Sequence, residues 1–514
     1  MSYLKFLNTD FFLQEITIPH KIVYRIAYLL LAIPFLVFLL THLHFYISLP
    51  LACIFIWGLV CSFRRISEDN GQNLKLSVSM MIVLIAAALL FSWLAGQGGY
   101  FPQKYDHVAR NAILHDLVTE SWPVAYKHIP GSRMVYYYNY WLIPAGAAKL
   151  FLLFGDHVAM EAGQFFLFLW TSFWLFVILL LCCCKLQIKT LLKTFFLVMI
   201  FIGFSGMDCI GFWILHGEEN PTHLEWWTYC QYSAAFTQLA WVFNQAVPAW
   251  LCAILIFGDK KIWHLIVIVA FSIVYAPFPA VGVAGIAAFL YLFEFVKQWR
   301  NHTIPDFIKN MCCAENIAIS ASILPVMALF HLSNGAVSDS TGDDLFHCMI
   351  TDFSQFKLYL LFVLLEFAGI ALLIWKDNKR NLLFYAIILQ LLVLPMIHVI
   401  SYDFCMRVSI PALCILSLYS IQFLLSEQGG NQHHEAKQCL LILFLIIGAA
   451  TPFIEIHSSA QQMHSDNWRR YEYYSFTKEE STSFQFITNY VSFDADQKFF
   501  FKYLAKKPSH EPSD

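Results

Sequence analysis

Charged side chains are scarce in this chain of 514 residues, of which only 13% are Asp, Glu, Lys or Arg. Soluble domains carry about 25%. Hydrophobic residues make up 59% of the chain, and the mean hydropathy is +0.60. The net charge of −3 indicates no nucleic-acid partner. We therefore expect an all-α polytopic protein with most of its chain in a membrane.

Several familiar signals are also missing. The first 20 residues are mixed and lack the apolar core of a cleavable signal peptide. The fourteen cysteines include no CxxC pair, and the run Cys182, Cys183 and Cys184 lies in an apolar segment, which argues against a metal or redox site. No Walker motif, GxGxxG or HExxH occurs, so the chain presents no recognisable nucleotide site.

Thirteen apolar segments are candidates for membrane helices, which need about 20 mostly apolar residues. In chain order they lie near 22–40, 43–62, 76–95, 160–183, 193–214, 238–258, 261–276, 280–297, 315–332, 356–375, 381–400, 408–425 and 438–455. No internal repeat and no clear pair of broken helices is visible in the sequence.

Lysine and arginine predict the orientation, because cytoplasmic loops carry an excess of both. Connections such as "FRRISEDNGQNLK", "KLQIKTLLK" and "KDNKRN" are basic, so we expect them in the cytoplasm of a bacterial inner membrane, together with the N-terminus. The expected regions are an N-terminal segment and helical hairpin at 1–75, a membrane core at 76–458 with an outer loop at 96–159, and an extracytoplasmic tail at 459–514.

The segment "VYYYNYWLIPAGAAKLFLLFG" breaks the alternation of basic loops if it spans the membrane. We predict an amphipathic or re-entrant helix at the outer interface instead. Tyrosine and tryptophan are frequent at the headgroup level of a bilayer, and this segment begins with several of them.

The outer loop contains a dense cluster of ionisable groups in "QKYDHVARNAILHDLVTESWPVAY". Helical spacing places Asp106 and Arg110 on one face and His107 on the adjacent face. A solvated helix with one ion pair explains this pattern as well as a catalytic site does. Asp116 and Glu120 lie too far along the helix to share a site with Asp106, so we expect them to be solvated.

Three further polar clusters are predicted to lie on the same side. The first is "FSGMDCIG" around Asp208, the second runs from "HLEWWTYCQYS" to "WVFNQAVPAW", and the third is "YDFCMRVSIPA" with Asp403 and Arg407. Tryptophans beside polar groups suit sugar stacking, and they suit an interface belt equally well. The arginine is suited to a lipid phosphate, although a simple ion pair is the alternative.

A large first outer loop with an acid near its start, followed by "YYYNYWLIPAGAAKLFLLFG", resembles the GT-C class of polytopic glycosyltransferases. Protein O-mannosyltransferases, aminoarabinose transferases and oligosaccharyltransferases belong to this class. The resemblance covers roughly 76–215 and the overall topology. Familiar members have an acidic pair at the base position, whereas Asp106 is followed here by His107. The segments "SWPV", "FSGMDCIG" and "HLEWW" also resemble bacterial membrane proteins without an established substrate.

The resemblance implies inverting transfer of a sugar from a polyprenyl-linked donor to a glycan, lipid or protein acceptor. Asp106 would be the general base, with His107 as alternative or orienting group, and Arg110 and Arg407 would bind the donor phosphate. The residues that would bind sugar or acceptor are Asp208, His223, Glu225, Trp226, Trp227, Asn244, Gln245 and Asp403. A divalent metal (Mg²⁺ or Mn²⁺) could be held by Asp106, Asp208 and Glu225, although many members of the class need none.

Two other functions are compatible with the sequence. A polytopic transporter, or a flippase of lipids or polysaccharides, also combines many helices with buried polar groups, but it would place polar residues along both halves of the membrane. A non-catalytic scaffold with the same fold is the other alternative, because fold alone does not determine function. A wide separation of Asp106 and Arg407, or their exposure to lipid, would favour this alternative.

Overall fold

The computed structural model describes residues 12–69, 73–217, 223–258, 262–334, 346–399, 403–426, 432–464, 474–477 and 487–507. Helices form nearly all of its regular structure. In the first half they are α1 (His20–His42), α2 (Phe45–Asp69), α3 (Val78–Leu94), α4 (His107–Thr119), α5 (Leu142–Lys149), α6 (Asp156–Leu186), α7 (Leu191–Gly203), α8 (Asp208–His216) and α9 (Ala235–Ile256). In the second half they are α10 (Leu265–Tyr275), α11 (Pro277–Arg300), α12 (Ile304–Met311), α13 (Ala314–His331), α14 (Phe353–Val363), α15 (Gly369–Asn378), α16 (Leu382–Val393), α17 (Asp403–Val408), α18 (Ile410–Leu425), α19 (Gln432–Gly448) and α20 (Ala450–Gln462).

Nine helical stretches within these ranges are long and apolar enough to cross a membrane. Four shorter apolar helices accompany them, at Val78–Leu94, Leu265–Tyr275, Leu382–Met396 and Ile410–Leu425. Together they coincide in position with the thirteen predicted segments. The prediction of an all-α polytopic membrane protein is confirmed, whereas a count of thirteen spans is not established, because four of the segments are shorter than a full span.

Two of the long spans are interrupted, which the sequence did not predict. Between α7 and α8 the chain leaves the helical path at 204–207, and the Met207 N–H donates instead to the Leu365 carbonyl across the helix boundary. Opposite this break, a π-helix at Leu364–Ala368 separates α14 from α15. Gly206 fits there because an added Cβ would lie 2.1 Å from a Glu366 carboxylate oxygen. A helix break and a π-helical turn therefore face each other inside the protein.

Helix α9 lies at the centre of the fold, and 94% of its most apolar 18-residue stretch is buried inside the protein. It packs against α18, α10, α6 and α11. Its backbone departs from helical geometry at Val242 (φ −135°, ψ 36°), and Pro248 follows within the same helix. A proline lacks the N–H for one hydrogen bond of the helix and disfavours a straight helix. The kinked part of α9 can therefore direct side chains from two helical turns toward the same polar cavity.

Three short antiparallel strand pairs connect segments that are distant in sequence. The first pair, β1 (Glu15–Pro19) with β2 (Asn73–Ser77), closes the hairpin of α1 and α2. The second pair, β3 (Arg133–Met134) with β6 (Val491–Ser492), attaches the C-terminal tail to the predicted outer loop. The third pair joins β4 (Phe346–Cys348) to β5 (Ile397–Val399).

The aromatic segment after the outer loop does not form an interfacial belt. It contains the eight-residue helix α5 between short 3-10 turns, so it does not cross the membrane as one helix. The side chains of Tyr138, Tyr140 and Trp141 are no more than 1% exposed. They pack on Phe330, Trp174 and Phe243 because three neighbouring helices cover them. The expectation of a headgroup belt was wrong for these residues.

Candidate active site

A cavity of about 170 Å³ lies where the predicted outer loop meets the ends of α9 and α17. Its lining includes five of the twelve residues that the sequence singles out: Asp106, His223, Trp226, Asp403 and Arg407. The other lining residues are Gln231, Ser233, Thr237, Gln238, Trp241, Val242 and Met406. The fold thus brings acids, bases and two tryptophans from four separate sequence segments to one small polar space.

Asp106 enters this cavity from the start of α4. Its carboxylate is 37% exposed and lies 3.0 Å from Nη2 of Arg110, one helical turn later. The Arg110 side chain is 4% exposed, and its guanidinium lies over the Phe243 ring at 5.8 Å. A buried arginine thereby holds the Asp106 carboxylate in place at the edge of the cavity.

Arg407 enters from the opposite wall on α17. Its Nη2 donates to Asp403 at 2.5 Å, and its Nη1 donates to the Tyr137 hydroxyl at 3.0 Å. The side chain is 16% exposed, and its Nε–H is buried without a hydrogen-bond partner among the described residues. Because a guanidinium stays charged and presents its donors in a fixed plane, this group is suited to an oxyanion in the cavity.

The imidazole of His223 forms the third charged wall of the cavity. Its Nδ1 lies 2.5 Å from Glu455 on α20, and its Nε2 lies 3.8 Å from Glu225. Glu455 also accepts from Lys104 at 2.8 Å and from the Trp241 indole at 3.1 Å. All four ionisable groups have side chains no more than 8% exposed, so this network is a buried part of the site rather than a solvated surface.

Burial alone lowers the pKa of His223, but the hydrogen bond to Glu455 and the negative charge of Glu225 outweigh it, so that the pKa is raised above its ordinary value. For the Glu225 carboxyl, burial raises the pKa, although the nearby His223 acts in the opposite direction. Glu225 is further held by Gln231 at 2.6 Å and by the Ala234 N–H at 2.8 Å. The pair therefore retains protons at higher pH than two exposed groups would.

His107 does not reach the cavity. Its Nε2 lies 2.8 Å from the Ala240 carbonyl, and its ring stacks on Phe243 with centroids 5.6 Å apart. Burial lowers the pKa of His107 to about 3, and the positive charge of Arg110 adds to this effect. The geometry thus favours Asp106 over His107 as a base.

Asp208 and Trp227 belong to a second, deeper polar cluster. Asp208 accepts from Ser205 and from Thr451, each at 2.9 Å. The Trp227 indole donates to Glu366 at 3.1 Å and is 2% exposed, so it is no stacking platform for a ligand in the cavity. Glu366 lies in the π-helix within a membrane span, 1% exposed. Among the residues that the structure describes, Trp226, at 58% exposure, and Trp241 present indoles to the cavity.

Asn244 and Gln245 lie one turn beyond the cavity on α9. Gln245 donates to the Tyr137 hydroxyl at 3.3 Å, which connects it to Arg407 through one shared partner. Both polar atoms of the Asn244 amide are buried without a hydrogen-bond partner among the described residues. Gln238, six residues before Asn244 on the same helix, lines the cavity together with Gln231. Asn244 and Gln245 therefore lie next to the cavity on the same helix, outside its lining as described.

The three carboxylates considered for a metal are not gathered at one point. Asp106 pairs with Arg110, Asp208 is bonded to two hydroxyls, and Glu225 accepts from an amide and a backbone N–H. Within the described ranges no group of three His, Cys, Asp or Glu side chains is arranged to hold a metal ion. These residues do not fit a divalent cation, and no step of the proposed chemistry uses one.

Three ionisable residues of the two clusters were missed in the sequence, and a fourth residue, Asp116, which lies outside both clusters, was misjudged. Lys104 lies inside the quoted outer-loop stretch, and Glu455 falls on the last residue of a predicted helix. Glu366 lies in the middle of a predicted span. Burying a carboxylate in a membrane costs free energy, so such a residue is a candidate functional residue. Asp116, expected to be solvated, is fully buried and accepts from Ser475 and the Phe476 N–H of the tail.

No protein-family model, curated protein or solved structure matches this chain.

Proposed function

We propose that the protein transfers a sugar from a polyprenyl-(pyro)phosphate donor to an acceptor hydroxyl at the extracytoplasmic face of the membrane, with inversion. The observation that carries the proposal is the placement of Asp106 and Arg407 in the lining of one cavity. A carboxylate that can take a proton and a guanidinium that can bind a phosphate are the two groups that this reaction needs.

In the proposed step the acceptor oxygen attacks the anomeric carbon while Asp106 takes the hydroxyl proton. The bond between that carbon and the phosphate oxygen breaks, and the phosphate leaves with the electron pair. Arg407 would stabilise the negative charge that grows on the leaving oxygen. Arg110 keeps the Asp106 carboxylate oriented throughout.

The size and lining of the cavity favour a small polar ligand. Drug-sized ligands occupy about 300–1,000 Å³, and this cavity measures about 170 Å³. The amide oxygen of Gln231 can accept from a sugar hydroxyl, while its nitrogen donates to Glu225 and Ser233. Trp226 and Trp241 offer apolar faces. These dimensions suit a single sugar ring rather than a glycan, with the rest of donor and acceptor outside.

The proposal is tested by reconstituting the protein in liposomes with a panel of radiolabelled polyprenyl-phosphate sugars. We expect transfer by the wild type, and a loss of about 100-fold in Arg407→Gln, comparable to removing one oxyanion donor. Arg380→Gln is the matched control, since Arg380 is exposed in the turn between α15 and α16. Equal transfer by both variants contradicts the role of Arg407.

A second function, proton-coupled transport, is favoured by one specific observation. Glu366 and Asp208 lie together where two interrupted spans face each other, and intramembrane carboxyls of this kind serve proton relays in transporters. A pH-sensitive dye inside the same liposomes separates the two functions. Proton flux that requires Glu366, without any sugar transfer, would favour the transporter.

A further inference from the structure

A long groove runs along the surface of the protein between α7, the end of α18, and α19. Its volume is about 840 Å³, roughly five times that of the candidate active site. The residues that line it are Leu192, Lys193, Phe196, Met199, Ile200, Gly203, Leu424, Leu425, Ser426, His434, Glu435, Gln438, Ile442, Leu445, Ile446 and Ala449. None of them belongs to the cavity of Asp106 and Arg407.

The polar residues of the groove all lie at one end. Lys193 is in the first turn of α7, Glu435 is in the first turn of α19, and Ser426 follows the last residue of α18. His434 bonds to Ser426 at 3.2 Å, and Gln438 donates to the last carbonyls of α18. Beyond this end the lining is apolar up to Ala449, so the groove has a polar head and an apolar body.

The length of the groove matches one leaflet of a bilayer. From His434 to Ala449 the helical path covers about 22 Å at about 1.5 Å per residue. Half of a bilayer with its headgroups measures about 20–22 Å. The body of the groove opens toward the membrane, because Met199 is 49% and Ile446 is 65% exposed. A continuous run of helix then leads from Ala449 to Glu455, so the polar head lies at the opposite end from the active-site cavity.

The charges at the polar head indicate which lipid fits. Lys193 places a positive charge in this lining, where it also makes another contact, and the N-termini of α7 and α19 add partial positive charge. Together these charges suit a phosphate. Glu435 offers one carboxylate in the same lining, which suits an ammonium that can donate hydrogen bonds. A purely anionic headgroup would meet the Glu435 carboxylate, and a quaternary ammonium has no N–H to donate to it.

We propose that this groove is a binding site for one phosphatidylethanolamine molecule of the leaflet on that side, with its phosphate at Lys193, its ammonium at Glu435 and its chains along α7 and α19. The assignment does not depend on the proposed sugar transfer, since it uses different residues on a different part of the protein. It adds a structural lipid ligand whose headgroup the protein selects by charge.

Native mass spectrometry of the detergent-purified full chain tests this site. Phosphatidylethanolamine, phosphatidylglycerol and phosphatidylcholine with identical chains are added at equal concentration. We expect the first to be retained about tenfold more than the others, the effect of one charge-assisted hydrogen bond. Equal retention of all three lipids would show that lipid binds only nonspecifically to the protein surface, and it would overturn the proposal. A preference for phosphatidylglycerol would also overturn it.

Variants make the assignment specific. Lys193→Gln should lower phosphatidylethanolamine retention about tenfold, while Glu435→Gln should abolish the preference over phosphatidylglycerol, since the repelling carboxylate is gone. Lys189→Gln, an exposed lysine outside the groove, is the matched control and should behave as wild type. A Cβ added at Gly203 meets nothing within 4 Å. Gly203→Leu should therefore fill the apolar body and reduce retention of all three lipids; unchanged retention in this variant places the lipid elsewhere.

Discussion

The Nδ1 atom of His223 lies 2.5 Å from Oε1 of Glu455. This contact joins the short turn before α9 to the last membrane helix, and Lys104 of the predicted outer loop binds the same carboxylate. Three distant segments therefore meet at one buried charge. Breaking such a pair leaves an uncompensated ion, which is strongly destabilising. The contact stabilises the wall of the candidate active site as well as the fold.

The first prediction concerns stability against pH. Because the pKa of His223 is raised in the folded state, its stabilising effect is complete below the unfolded pKa of about 6.5. That stabilisation is lost as the pH rises through the folded pKa. We expect the thermal unfolding midpoint, followed by tryptophan fluorescence in detergent, to fall as the pH rises above about 6.5.

The variant Glu455→Gln should flatten this pH dependence, because the carboxylate that retains the His223 proton is gone. His457→Gln is the matched control, because His457 lies two residues later on the same helix and is exposed, with contacts to Gln461 and Phe453 rather than to the buried network. A pH profile that stays as steep in Glu455→Gln as in the wild type would mean that other groups cause it.

The second prediction separates His107 from Asp106. His107 is buried and bonded to the Ala240 carbonyl, so its role is structural. His107→Gln keeps a donor for that carbonyl and should retain sugar transfer within about threefold, whereas His107→Ala should lose about 1–3 kcal/mol of stability through an unsatisfied buried acceptor. Transfer rates and unfolding curves of the two variants provide the check. A loss of transfer in a stable His107→Gln protein would reassign the base.

The third prediction concerns the attachment of the C-terminal tail. Asp116 accepts from Ser475 at 2.6 Å and from the Phe476 N–H at 3.0 Å. Asp116→Asn should cost about 1.5–3 kcal/mol, the range for hydrogen bonds to a charged group. Limited proteolysis near Ser475 should become faster in this variant. Glu120→Gln, at the end of the same helix and only half-buried, should change stability by no more than about 0.5 kcal/mol.

The positions of the membrane helices were predictable because apolar runs of about 20 residues are typical of membrane helices. The breaks within them were not. The interrupted stretch 204–207 contains Ser205 and Gly206, but neither residue by itself ends a helix, and the break depends on the close approach of Gly206 to Glu366 from a distant helix. The burial of Tyr138 and Trp141 depends in the same way on tertiary neighbours. It could not be predicted, because an aromatic segment that is buried has the same sequence pattern as one that lies at the membrane interface.

Part of the candidate site was also predictable. Asp106 and Arg407 stood out because charge is rare in this chain, and the fold places both in one cavity. Glu455 was not predicted as a site residue, because it coincides with a predicted helix end, where a carboxylate does not by itself indicate a buried site. A search for every ionisable residue within a predicted span would have found Glu366, since such groups are costly in lipid. The pairing of His223 with Glu455 required the three-dimensional fold.

The central claim is that Asp106 is the base of a sugar transfer, and one measurement tests it most directly. Asp106→Asn keeps the size of the side chain and an acceptor for Arg110, but it cannot take a proton at neutral pH. Transfer from a labelled polyprenyl-phosphate sugar is compared in liposomes that hold equal amounts of folded wild type and variant. We predict a loss of about 100- to 10,000-fold, the contribution of a positioned base. Transfer by Asp106→Asn at the wild-type rate would contradict the account.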